Sequence, residues 1–158
     1  MTKDKLVGWF PRLSAEWSLS FSITLFDTIT STDSFFTCNI INLSANRKMN
    51  SIYGSRTPYI GLNKATGILH TTSAINSNWN WVKDLQKIEI GDIHHIEFHQ
   101  RYVNGGEYRY FIILDGKEVY SVINTDAKQF YNVYVYASNP WNDPCPVYIK
   151  NLKINNFL

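Results

Sequence analysis

The sequence predicts an all-β chain folded as an antiparallel two-sheet β-sandwich. Three observations lead there. Short extended runs follow one another with turn signals spaced roughly 8–12 residues apart. No segment repeats its apolar residues at helical spacing. Aromatic residues make up 15% of the chain, an excess that favours strands over helices. With 158 residues, the chain is long enough for one sizeable core, and residues 1–158 read as a single domain without linker, repeat or low-complexity tract.

The clearest strand is "EWSLSFSITL" (16–25). Trp17, Leu19, Phe21, Ile23 and Leu25 fall on one side and Glu16, Ser18, Ser20, Ser22 and Thr24 on the other, the period of two of a half-buried strand. "FFTCNIINL" (35–43) follows, and Gly54 and Pro58 break residues 50–63 into short extended pieces. The Thr-rich "GILHTTSA" (67–74) suits an edge or half-exposed strand. "INSNWNW" (75–81) reads as a polar loop before a short strand "LQKIEI" (85–90).

In "IHHIEFHQ" (93–100), Ile96 and Phe98 share a side with His94 and Gln100, opposite His95, Glu97, His99 and Arg101. Asn104-Gly105-Gly106 and Asp115-Gly116 carry hairpin chemistry and bracket "YRYFIIL", with "EVYSVI" beyond. "FYNVYVYA" and "VYIKNLKI" complete the set, separated by the proline-broken "SNPWNDPCP".

Composition narrows the function classes. Lys plus Arg number 15 against 13 acidic residues, scattered without a basic run, so a nucleic-acid partner is not expected. No apolar stretch approaches the roughly 20 residues of a spanning helix, and membrane insertion is not expected. The N-terminus lacks the pattern of a secretory leader, which fits either a cytosolic protein or a domain excised from a secreted precursor. Cys38 and Cys145 have no metal-ligand spacing; they are either two buried thiols or one bridge. The sequon Asn42-Leu43-Ser44 would accept a glycan only in a secretory setting.

The order of "EWSLSFSITLF", "DIHHIEFHQR", "YRYFIILDGKEVYS" and "VYIKNLKI" resembles the concanavalin A-like jelly rolls. Within them it is similar to the laminin G-like and pentraxin-like group, whose strands run "FTLSFWV", "WHHIAF", "LYIDGKLV" and "IRNVRI". The chain departs from that pattern at Ile93, where the group has Trp. The resemblance implies a jelly roll with a structural His pair; separately, the segment "NVYVYASNPWNDP" resembles domains of invertebrate extracellular proteins, which implies an extracellular setting. The jelly-roll resemblance also implies glycan binding or an adhesion or matrix role, and calcium as the cation its members often hold. Fold alone does not choose among these.

Catalysis is not expected. The superfamily's glycosidases need paired carboxylates of the type Glu-x-Asp-x-x-Glu, and no such triplet occurs. Nucleophile elbows and phosphate-binding glycine patterns are absent from the sequence. His95, Glu97 and His99 share a strand face and could form a zinc set, but Arg101 extends that face, and a solvated face with cross-strand charge pairs is the expected role. For calcium, Asn142 and Asp143, with Asp115 and Asp126 further off, do not add up to the six to eight oxygens required.

Glycan recognition needs an aromatic platform and planar polar side chains. Two segments supply both: Trp79, Asn80 and Trp81 in the first, Asn139, Trp141, Asn142 and Asp143 in the second, with Arg101 as an additional bidentate donor. Trp79 is expected outward and Trp81 in the core. The expected function is therefore a non-catalytic, lectin-like domain binding glycans or glycoproteins. The alternative is an adhesion module that binds protein or forms a homo-oligomer along an edge strand, with "FYNVYVYA" as sticky area.

Overall fold

A computed structural model of the chain describes residues 2–30, 32–45, 47 and 51–157. They form eleven strands and no helix. These are β1 (Leu6–Leu13), β2 (Trp17–Leu25), β3 (Thr37–Ser44), β4 (Tyr59–Asn63), β5 (Ile68–Ile75), β6 (Asn78–Lys87), β7 (Ile93–Asn104), β8 (Glu107–Leu114), β9 (Lys117–Asn124), β10 (Phe130–Tyr136) and β11 (Val147–Asn156). Two antiparallel sheets stack as a sandwich: β1-β10-β3-β4-β5-β6 and β11-β2-β7-β8-β9.

The predicted alternation sets the core. Trp17, Leu19, Phe21, Ile23 and Leu25 are all sealed, and β7 opposes Ile96 and Phe98 to Phe21 and Leu19. Phe21 stacks on Phe98 at 6.5 Å, and Trp17 meets Tyr110 edge-on. Ile60, Leu62 and Leu69 cover them from the other sheet. Each such side chain contributes about 1.5–3 kcal/mol by leaving water. Gln100, polar on the core side of β7, is hydrogen-bonded: it donates to the Ala15 carbonyl at 2.7 Å and accepts from Asn124 at 2.8 Å.

The His pair is a structural device. Asp115, in the left-handed region at φ 52°, accepts from the His95 backbone N–H at 2.8 Å and bonds His94 Nδ1 at 2.7 Å, closing the β8–β9 turn onto β7. Of the two states open to the cysteines, the disulfide is realised: Cys38 on β3 is joined to Cys145, two residues before β11, and so ties one sheet to the other.

Several expectations are corrected. β1 lies where no strand was expected; it is an edge strand pairing only with β10, which is why Pro11 is tolerated in it. β5 is internal rather than an edge, and its threonines are buried. The Tyr-rich β10 is paired on both sides, so it offers no free edge for self-association. The sequon residue Asn42 is 2% exposed between β4 and β10, out of reach of a glycosylating enzyme in the folded chain.

The "INSNWNW" loop is the largest correction. Only Asn76 and Ser77 form the turn, a two-residue hairpin with φ of 51° and 62° between Ile75 and Asn78. The tryptophans belong to β6. A regular strand would place Trp79 and Trp81 on one face. They diverge because, between the pairs Ser73↔Trp81 and Ile75↔Asn78, β5 advances two residues while β6 advances three.

Candidate functional site

The outer face of the six-stranded sheet, away from the core, carries a groove of about 110 Å³ over β4, β5 and β6. Its floor follows from the register. Tyr59 lies opposite Thr72, which lies opposite Val82; Gly61 lies opposite His70, which lies opposite Asp84. The intervening Ile60, Leu62 and Leu69 point into the core, so this row faces outward by simple alternation. Phe35, Phe36 and Thr37 form one wall, and Arg56, Asn80 and Asn142 complete the rim.

Tyr59 is 6% exposed and lies over Gly61, whose missing side chain makes room: a Cβ there would meet the Cys38 carbonyl at 2.2 Å and the Tyr59 hydroxyl at 3.0 Å. The Tyr59 hydroxyl shares a 2.8 Å hydrogen bond with Thr37 Oγ1. Burial pushes its pKa up to about 12, against opposition from Thr37 and Arg56, so it serves as a neutral donor and acceptor. His70 bonds Asp84 Oδ1 through Nδ1 at 2.6 Å and meets Phe36 edge-on at 5.0 Å. That commitment leaves Nε2 as the ring's remaining polar atom.

Arg56 sits on a segment pinned to β3. The Thr57 N–H donates to the Leu43 carbonyl and the Leu43 N–H to the Pro58 carbonyl, each at 2.9 Å. The guanidinium lies over the Trp79 ring at 4.6 Å and donates through Nη1 to Asn80 Oδ1. The β6 bulge is what brings Trp79 and Asn80 to the same cation. Burial lowers the Arg56 pKa, with Tyr59 acting in the opposite sense.

Thr72 is the informative residue. It is 4% exposed, lines the groove, and its hydroxyl oxygen is sealed without a hydrogen-bond partner among the described residues. A buried hydroxyl left so costs about 1–3 kcal/mol, a cost that a ligand group reaching it would relieve.

The structure gathers some expected site residues and disperses others. Trp79 and Asn80 meet at Arg56, and Asn142 reaches the rim. Trp81 turns to the core side, where its Nε1 donates to the Tyr120 hydroxyl at 2.7 Å. Asn139 is a framework residue: its Oδ1 accepts from the N–H groups of Trp141 and Asn142, and its own N–H donates to Asn39. Asn142 also donates to the Thr37 carbonyl at 3.3 Å. Trp141 packs on Tyr136 at 6.2 Å. Arg101 lies on the other sheet, 3.8 Å from Glu16 and over the Phe157 ring at 3.9 Å. Arg56, Tyr59, His70 and Thr72 are the residues sequence reasoning missed.

The metal readings do not fit these residues. Glu97 sits between His99 Nε2 at 3.0 Å and His95 Nε2 at 3.6 Å, a row of polar contacts on a strand face. Asp143 accepts from the backbone N–H of Thr32 at 3.0 Å and of Asp33 at 3.2 Å, and pairs with Lys3. Burial alone would raise the Asp33 pKa, but hydrogen bonds from Lys64, Asp143 and Phe35 hold it below the usual range. Asp126 takes Ser77 and Lys128, and Asp115 takes the His pair. Among the described residues, no group of three or more His, Cys, Asp or Glu could hold a metal ion.

No protein-family model matches the sequence, and no curated protein matches it. Solved structures do share the fold. An endo-β-1,4-glucuronan lyase from the fungus Trichoderma reesei superposes with a TM-score of 0.61 at 13% identity, over 92% of this chain and 70% of that one. A heptameric SAP-like pentraxin from Limulus polyphemus gives 0.57 at 14%, over 94% and 67%. A carbohydrate-binding module from Bacillus subtilis gives 0.50 at 10%, over 99% and 100%. At these identities the likeness concerns the fold.

Proposed function

We propose that this concanavalin A-like jelly roll is a non-catalytic, lectin-like domain that binds carbohydrate in the groove over β4, β5 and β6. The observation that carries the reading is the sealed, unpartnered Thr72 hydroxyl beside Arg56, Asn80 and His70. Sugar hydroxyls would complete such an array, the Phe36 ring of the lining would meet the apolar face of a sugar ring, and Trp79 would act by holding the Arg56 guanidinium in place.

A hollow between Lys5, Val7, Val147 and Tyr148 is larger, about 390 Å³, but none of the sealed polar atoms belongs to its lining. Among the described residues, the floor row of the β4–β6 groove contains one carboxylate, Asp84, which is bonded to His70, whereas glycosidic hydrolysis of the usual kind calls for a pair. The neighbouring module from Bacillus subtilis, a carbohydrate-binding module by description, supports the class by analogy only. The Cys38–Cys145 bridge supports an extracellular setting, since disulfides persist in oxidising compartments.

A glycan array followed by calorimetry tests the proposal. Binding of an array-selected glycan should weaken at least tenfold in Trp79→Ala and in Asn80→Ala, with far-UV circular dichroism unchanged. Undiminished binding in both variants, or an array blank throughout, sinks it.

A further inference from the structure

We propose that the glycan is acidic and that Arg56 holds its carboxylate, that of a uronic or sialic acid unit. This rests on the groove being a glycan site, and it adds the ligand's charge class. The argument begins with charge balance. Arg101 and Arg109 each pair with a glutamate. Arg56 is more buried than a surface arginine, yet none of the ion pairs among the described residues includes it.

Its neighbours are the Asn80 amide oxygen, the Trp79 ring and the protonated Tyr59 phenol, all neutral. The nearby carboxylates are committed elsewhere. Asp33 pairs with Lys64. Asp84 bonds His70 and lies four strand positions from Asn80, roughly 13 Å along β6. A cation taken partly out of water without a counter-charge is costly, and a ligand carboxylate would offset that cost.

The geometry of the guanidinium favours this class. Asn80 occupies Nη1 and Trp79 covers one face, which fixes the plane; the remaining N–H groups have no hydrogen-bond partner among the described residues. A fixed planar fork matches a carboxylate bidentately. Thr72 lines the same groove, and its buried hydroxyl has no hydrogen-bond partner among the described residues.

Calorimetry on the full chain tests this with tetragalacturonate, its methyl ester, 3′-sialyllactose and lactose. At least one acid form should bind about 10–100-fold tighter than its neutral counterpart, the range of a charged hydrogen-bonded pair. Tetragalacturonate alone showing the preference assigns an in-chain uronate; sialyllactose alone assigns a terminal sialic acid. Arg56→Gln should erase the preference and Arg56→Lys should retain part of it. Equal binding of acid and neutral forms by the wild type, with loss in Trp79→Ala, overturns the carboxylate assignment and leaves the groove standing. Acid preference unchanged in Arg56→Gln also overturns it. Absence of binding to these four probes and to every glycan of the array overturns the groove itself.

Discussion

Replacing Thr72 with Val separates a binding residue from a structural one. The two side chains have nearly the same shape, and Thr72 is 4% exposed on a strand paired on both sides, so the exchange removes a hydroxyl and little else. That hydroxyl is sealed and without a partner among the described residues. An unsatisfied buried hydroxyl costs about 1–3 kcal/mol, so the variant should be more stable by about 1 kcal/mol. For a chain of this length the melting temperature should rise by about 2–4 °C. Glycan affinity should fall about 3–10-fold, the worth of one neutral hydrogen bond. Urea titration and calorimetry read the two effects. A variant destabilised by 1 kcal/mol or more would refute the reasoning, because Oγ1 would then have a partner in the free protein.

Further outcomes follow from the framework around the groove. Cys38 and Cys145 close a loop with a sequence separation of 107; a loop of about 100 residues contributes about 4.7 kcal/mol on the chain-entropy model, a large part of a typical 5–15 kcal/mol. The Cys38→Ala, Cys145→Ala double variant should lower the urea midpoint by about 2 M; a shift corresponding to under about 1 kcal/mol would contradict the bridge's role. Gly61→Ala should cost about 3 kcal/mol by driving a Cβ into the Cys38 carbonyl and Tyr59, and a thermal melt unchanged from wild type would contradict that packing. Tyr53 and Tyr59 both have folded pKa values pushed up to about 12, chiefly by burial. Between pH 10 and 12 the unfolded chain has lost these protons and the folded chain has not, so stability should fall as pH rises through that window. Tyr59→Phe should flatten the decline measured by urea titration at each pH, and an unaltered slope would count against the burial assigned to Tyr59.

The sandwich was legible because alternation is a local signal. β2 shows its core side in five consecutive odd positions, and β7 to β9 carry their own turn chemistry. β6 was misread because Asn76, Asn78 and Asn80 together look like a loop, although only Asn76 lies in the turn. There it bonds Thr125 and the Ile123 carbonyl of the opposite sheet. The groove was illegible for a different reason. Arg56, Tyr59, His70 and Thr72 meet through strand pairing, and no spacing along the chain encodes which outward residues become neighbours. One signal was present: His70 in the Thr-rich run, a polar side chain alternating with Leu69, marked an outward face of mixed chemistry on what proved to be an internal strand.

Chemical-shift mapping with a glycan selected on the array tests the central claim most directly. Amide shifts on titration should concentrate at Arg56, Tyr59, His70, Thr72 and Asn80, accompanied by the Trp79 indole N–H. Shifts centred instead on residues 139–143, or on the outer face of the five-stranded sheet around Arg101, would contradict the account.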